Sequence, residues 1–305
     1  MNSTEPVANS SPLLSLESAL VGAVTAAAPS LVRVDRRRGG GSGVAWADDL
    51  VVTASFHAAD KTTVGVAQPD GTIVERDATL VGRDPGTDVA VLRVDGGGLT
   101  PATFRGLDGV AVGQPVLALG RPGKSVRASL RIVGVLGPEV RTPAGGRLDR
   151  YVETDRQIPR GFAGGPLVGL DGRVIGMNTR TLLRGADLAI PHVTLIRVVD
   201  EILAHGGVRR GFLGVGAYPV ALPPVAAQAT GRSHGALIAS IEDGGPAASA
   251  GLLIGDIIVS LGGDAIGGPE DLRIALGDRA GAAVELEIVR AGAIQKIAAT
   301  VGTRP

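Results

Sequence analysis

From Leu31 to about residue 190 the chain is cut into short apolar runs, many of them β-branched, each closed by Gly, Asp or Pro. Leu50-Val51-Val52-Thr53, Ala78-Thr79-Leu80-Val81, Val89-Ala90-Val91-Leu92-Arg93-Val94, Pro115-Val116-Leu117-Ala118-Leu119 and Arg131-Ile132-Val133-Gly134-Val135 are examples. Such runs are too short to make stable helices and have the right length for strands. Many of them at this spacing leave two solutions, an antiparallel barrel or a sandwich. Aromatic residues make up only 2% of the chain, so the core must be built from Val, Leu, Ile and Ala. The 47 glycines follow no collagen-like period and fall between the apolar runs, as a turn-rich β protein requires.

Two segments break the β pattern. Leu16 to Ala27 has a helical composition, with Ser15 placed as N-cap and Pro29 as its end. Val193 to His205 carries apolar residues at three- and four-residue spacing and is stopped by Gly206-Gly207. A second unit starts near Arg209. It holds the strand-like Gly211-Phe212-Leu213-Gly214-Val215 and Ala236 to Ile241, a helix from Pro269 to Leu276, and strict alternation over Val284 to Arg290. About 95 residues with five or six strands and two short helices form a small domain of ordinary size.

Charge excludes some functions. Lys+Arg and Asp+Glu number 30 each, so no global field favours nucleic acid or an anionic membrane. The cluster Arg36-Arg37-Arg38 runs into glycines and reads as a solvated loop. There is no cysteine, which removes disulfides and thiolate metal sites. His57, His192, His205 and His234 show no metal-ligand spacing, and no metal or cofactor is expected. The N-terminus "MNSTEPVANSSPLL" lacks the basic start of a secretory signal, and Ala19 to Ala28 is mostly Ala, Val and Gly. No run reaches the roughly 18 apolar residues of a membrane span. The expectation is a soluble, non-exported, cytoplasmic chain.

One stretch points to chemistry. "RGFAGGPLVGLDGRVIGMNT", Arg160 to Thr179, has the frame Gly-x-x-Gly-Gly-Pro-Leu followed by two strand-like runs joined at Asp-Gly. With "GGGSGVAWADDLVVT", "VGRDPGTDVAVLRVD", "DLAIPHVTLIRVVDEILAHGGVRRGFLGV" and "GGPAASAGLLIGDIIVSLGG", in that order, the chain resembles the HtrA (Deg) family over about residues 16–303. The resemblance implies a mainly-β fold, a trypsin-like double β-barrel followed by an α+β PDZ domain. It implies a tail at 1–14, a protease domain at 15–207 and a PDZ domain at 208–305. It also places Asp88 at the triad aspartate, although Asp88 equally suits a turn or capping carboxylate. Gly161 and the N–H of Ala163 then fall at the oxyanion hole.

Two departures fall on the catalytic positions. The nucleophile position is Ala163, whose methyl group has no proton to give and no lone pair to attack with. The family order Thr-x-x-His is here Thr53-Ala54-Ser55-Phe56-His57, which puts Phe56 in the histidine slot and His57 one residue later. In a helical segment one residue turns a side chain by about 100°, unless a local insertion restores His57. Losing one triad member can cost about a millionfold in turnover, so Ala163 alone should silence the site.

In the PDZ-like unit the resemblance makes Phe212, Leu213, Gly214 and Val215 a carboxylate-binding loop, where successive N–H groups converge on a peptide C-terminus. An ordinary buried strand with turn glycines is the alternative. Leu272, Ala275 and Leu276 on the following helix would shape the pocket for the last side chain, with one or two of them turned to the core. Three functions follow: a non-cleaving binder of peptides or protein C-termini, an active HtrA-type endopeptidase whose serine was replaced by Ala163, and a holdase-type chaperone. A homotrimer is implied by kinship alone, and the stretch before Val32 has no aromatic residue to support it.

Overall fold

Helix α1, Pro12–Ala27, opens the chain and runs through a 3₁₀ turn to Ser30. The fold is that of a computed structural model, which describes residues 12–35, 40–183, 186–277 and 279–304. The first 11 residues of the expected tail and the Arg36-Arg37-Arg38 cluster lie outside the described residues. Among the described residues the helix already includes Pro12, ahead of the expected cap at Ser15.

This helix also corrects the expectation that no segment could span a membrane. Pro12–Ser30 is 19 residues long with a mean hydropathy of 1.3, and 17% of it is buried. Its rise is about 28 Å, close to the ~30 Å of a hydrocarbon core. The signal was missed because Ala, Gly, Ser and Thr dilute its apolar density, while Glu17 is its only charge. Ala23 and Ala27 pack against Leu31, Leu117 and Val168, whereas Leu13 and Val21 are exposed.

The next strands are β1 (Leu31–Val34), β2 (Gly41–Ala45), β3 (Leu50–Ala54), β4 (Lys61–Ala67), β5 (Ile73–Asp84) and β6 (Val89–Val94). They close into an antiparallel barrel in the order β1-β2-β3-β6-β5-β4. Its interior is filled by side chains of modest size, among them Val32, Val34, Val51, Val64, Ala90 and Leu92. That filling is what a small closed barrel permits and what a chain poor in aromatics can supply.

A second barrel follows. β7 is Pro115–Gly120, β8 is Arg127–Gly137, and β9 (Val140–Arg141) with β10 (Arg147–Leu148) forms a separate hairpin. β11 (Tyr151–Thr154), β12 (Pro166–Val168), β13 (Val174–Leu183) and β14 (Ala186–Pro191) complete it, in the order β11-β14-β13-β12-β7-β8. Helix α2, His192–His205, comes next and ends on Gly206, whose φ of +75° breaks the helix.

Contacts divide the molecule into two compact units. The first runs to Val81 and adds Val89–Pro138 and Asp149–Ile196; the second gathers Gly82–Asp88, Glu139–Leu148 and the chain from Arg197 on. The second unit contains β15 (Arg210–Phe212), β16 (Val215–Ala221), α3 (Pro224–Thr230), β17 (His234–Ile241), α4 (Pro246–Ser249), β18 (Ile257–Leu261) and β19 (Asp264–Ala265). After these come α5 (Pro269–Leu276), β20 (Ala283–Arg290), β21 (Ala293–Thr300) and β22 (Gly302–Arg304). The strands are therefore more numerous than the five or six the sequence suggested. The main sheet runs β16-β17-β18-β20-β21, which leaves β16 at an edge, while β15 pairs with β22. Its core gathers Ile238, Ile258, Leu261, Ile266, Leu286 and Ile288.

Candidate functional site

The segment Arg160 to Pro166 is held by strands from both barrels. Ser42 on β2 donates its hydroxyl to the Gly161 carbonyl at 2.6 Å and accepts the N–H of Arg121 at 2.8 Å. The Ser42 N–H reaches the Ala163 carbonyl at 3.4 Å, and Thr53 donates its hydroxyl to the Ser42 carbonyl at 2.7 Å. From the other side, Asn178 on β13 donates its N–H to Gly165 O at 2.8 Å and its side-chain amide to Pro166 O at 2.8 Å. Gly164 returns its own N–H to Asn178 O at 2.9 Å.

Two positions in this turn require glycine. Gly161 and Gly164 have φ of +84° and +83°, a region that side-chain-bearing residues rarely enter. A Cβ on Gly164 would also stand 2.2 Å from the Ser42 carbonyl oxygen. Upstream, the loop is fixed by Arg131, which is only 1% exposed. Its guanidinium donates to the carbonyls of Arg156 and Gln157, the latter at 2.6 Å. Asp155 accepts the Ile132 N–H at 3.1 Å, and that bond holds its carboxyl below the usual range.

Ala163 is buried at the wall of a cavity of about 490 Å³, which it shares with Gly161, His57 and Phe56. His57 sits on the 3₁₀ turn Ser55–His57 after β3 and is 4% exposed, whereas Phe56 is 41% exposed. The imidazole lies flat against Gly41, where an added Cβ would be 2.4 Å from Nδ1. Phe162 turns away from the cavity into the second barrel's core, against Gly120. Among the described residues, the N–H groups of Gly161 and Ala163 have no protein acceptor.

Asp88 belongs to the second unit and is 2% exposed. Its φ of +56° is in the left-handed region, tolerated best by Asn and Asp among residues with side chains. The turn before it is built on Asp84. That carboxylate accepts the Gly86 N–H at 3.0 Å and the Thr87 hydroxyl at 2.6 Å. Arg210 closes on both of its oxygens at 2.7 Å.

The second unit has its own groove, a cavity of about 690 Å³. Phe212, Leu213, Gly214 and Val215 line one side, and Leu272 and Leu276 of α5 the other. Leu213, Leu272 and Leu276 are at the same time core residues, each buried. Ala275 lines a different cavity, with Asp264 and Arg279. Gly214 has φ +74°, and among the described residues the N–H groups of Leu213 and Gly214 meet no protein acceptor. The Phe212 ring carries the Arg304 guanidinium 4.3 Å from its centroid, and Arg304 forks onto Glu242 at 2.7 and 2.9 Å. The free edge of β16 runs along this groove.

Comparison with known proteins places these features. The trypsin-like peptidase domain family matches residues 41–177, and the PDZ domain family matches residues 211–301. The solved structure of the HtrA-type protease AlgW with tripeptide is 30% identical and has a TM-score of 0.65. That alignment covers 93% of this chain and 97% of the other. The chain belongs to the HtrA family. A probable periplasmic serine endoprotease DegP-like of Ectopseudomonas mendocina (strain ymp) is 35% identical over 87% of this chain. One of Pseudomonas putida (strain W619) is 34% identical over 91%. The chain spans 56% and 59% of these two relatives' length.

These comparisons overturn the expectation of a cytoplasmic HtrA protein. Both relatives are named periplasmic, and the apolar helix Pro12–Ser30 is of the length and composition that a signal sequence also has. The sequence reading demanded a basic start and dense apolar residues, and this helix meets the hydropathy test without either.

Several residues that fix the loops of each unit gave no local signal in the sequence. Ser42 sat inside a recognised strand motif, but its bond to Gly161 links positions 119 residues apart. Arg131 stood in a strand-like run and gave no sign that it would be buried. Gly41 gave no sign that it would carry the imidazole. Arg210, at the start of the second unit, gave no sign that it would pair with Asp84.

Proposed function

We propose that this HtrA-family chain binds peptides without cutting them, as a protein of the periplasm. Its protease domain spans about residues 15–207 and its PDZ domain about 208–305. In the cleft, His57 stands in the role of the general base and Ala163 where the nucleophile belongs, and the family resemblance gives Asp88 the role of the triad carboxylate. The N–H groups of Gly161 and Ala163 act as the oxyanion hole and hold a peptide carbonyl or carboxylate oxygen. Acyl transfer stops there, because a methyl group can neither lose a proton nor attack an amide carbon. No flanking residue replaces it: Phe162 is packed in the core and Gly164 has no side chain.

The PDZ groove supplies the recruiting function. A peptide C-terminus extends the sheet along β16, its carboxylate set on the N–H groups of Leu213 and Gly214. Leu272 and Leu276 favour a small or medium apolar last residue. The observation that carries the reading is Ala163 itself, in a loop otherwise built with glycines at positive φ and two open N–H donors.

A second reading is favoured by the relatives' names and by that intact loop: an active endopeptidase whose serine was replaced by Ala163. The native gene at position 163 separates the two, serine there favouring the second reading and alanine the first, while casein digestion tests the binder. The chain as it stands is expected to cut nothing. Cleavage by it would overturn the binder.

A further inference from the structure

The cavity beside Ala163 is ringed by positive charge. Arg127 at the start of β8, Arg160 next to Gly161, and Arg180 on β13 line it together with His57. All three arginines are exposed to solvent. Among the described residues no Asp or Glu lines this cavity, in a chain whose acidic and basic residues number 30 each. Among the described residues, neither Arg127 nor Arg160 is paired with a carboxylate. A composition so balanced overall and so one-sided here marks the cavity for an anion.

We propose that this cavity takes the carboxylate side chains of an acidic peptide segment. The inference rests on the reading of the cleft as a site that binds without cleaving. Three features select a peptide. Guanidinium groups match carboxylates with paired, planar hydrogen bonds. The N–H groups of Gly161 and Ala163 add donors suited to a backbone carbonyl of the same segment. Phe56 offers an exposed apolar wall for the chain between its charges. The cavity, at about 490 Å³, exceeds the needs of one small anion. Nucleic acid fits less well, since the cations converge on one cavity in a chain of zero net charge.

The test uses the full chain and two fluorescent hexapeptides with amidated C-termini, which removes the terminal carboxylate that the PDZ groove takes. One peptide carries three Glu, the other three Gln at the same positions. Anisotropy should show the Glu peptide binding at least tenfold more tightly, and the difference should shrink as salt shortens the screening length. Arg127→Gln with Arg160→Gln should abolish the preference, while a peptide with a free C-terminal Val binds the double variant unchanged. Equal binding of the two hexapeptides overturns the proposal, and so does a preference that survives the double variant. Displacement of the Glu peptide by 5 mM inorganic phosphate would replace the peptide by a small anion and overturn it too. Mass spectrometry of the recovered Glu peptide keeps the two readings apart. Cut peptide breaks the non-cleaving reading, whereas intact peptide that does not bind breaks only this inference.

Discussion

The molecule holds two grooves, one lined by Ala163 and His57 and one by Leu213 and Leu272, that differ in what they ask of the chain. In the proposed reading, catalysis in the cleft beside Ala163 would depend on side-chain atoms, an imidazole and an oxygen above all. The PDZ groove would bind through backbone in that reading: the N–H groups of Leu213 and Gly214 and the edge of β16. One substitution would remove the reaction from the first, because a transition state needs every group in place. The second is proof against most single substitutions, because no side chain supplies its hydrogen bonds. The loop around Ala163 teaches the same lesson from inside the cleft. Its backbone donors and glycine turns persist where the reactive side chain does not.

The sharpest way to break this comparison is to return the missing oxygen. Ala163→Ser should raise casein hydrolysis from undetectable to a rate at least about a thousandfold over the parent, since single triad losses reach about a millionfold. His57→Ala in that background should take the rate back to the baseline. A serine variant that stays silent until Phe56→His is added would show that His57 is not the base. Peptide binding in the PDZ groove should be the same in all of these variants, measured by titration with a free C-terminal Val peptide.

A smaller effect tests how closely the cleft is packed. The His57 ring lies on Gly41 so tightly that an added Cβ would come within 2.4 Å of Nδ1 and 2.7 Å of Cε1. Gly41→Ala must push the ring aside. In the Ala163→Ser background this should lower casein turnover about a hundredfold, the scale of a misplaced catalytic group. Binding of the Val peptide should not change. Unchanged turnover would mean that the imidazole is not held where catalysis needs it.

The PDZ groove is probed through the ligand. Replacing the terminal carboxylate of the Val peptide by an amide should weaken binding about tenfold or more, as expected for losing charge-assisted hydrogen bonds. A peptide ending in Asp should bind less well than one ending in Val, because Leu272 and Leu276 wall the groove. Equal affinity for Val and Asp would remove the assignment of those two leucines.

How much of this was legible beforehand follows from the range of each interaction. The barrels were readable because strand runs and turn glycines are local patterns. The six groove residues were readable because one short loop and one helix carry them. The cleft was readable only at its motif residues. Its supports, Ser42 on Gly161 and Arg131 on the carbonyls of Arg156 and Gln157, join distant segments through bonds that leave no local trace. The order Phe56-His57 could not be resolved from spacing, because a 3₁₀ turn places side chains differently from the α-helical count. The apolar helix Pro12–Ser30 was missed for the opposite reason: its composition is uniform and its signal only emerges as a sum over 19 residues.

The smallest effect compares the stability of the two units rather than their chemistry. His192 stacks on Phe104 with ring centroids 4.6 Å apart, and Trp46 lies 5.9 Å away. Burial there lowers its pKa below the ordinary imidazole value. The folded protein therefore binds this proton less readily than the unfolded chain does. Above about pH 6.5 both states are neutral at this residue and nothing is lost. As the pH falls below that value the unfolded chain takes up the proton first, so stability declines until the folded pKa is passed. Thermal unfolding between pH 7.5 and 5 should show this decline, and His192→Phe, which keeps the stack and removes the proton site, should flatten part of it. The Val peptide's affinity for the PDZ groove at pH 7 should be the same in parent and variant. If the variant keeps the full pH slope, the acid sensitivity of the barrel unit comes from its carboxylates, and the stacked imidazole is a packing residue only.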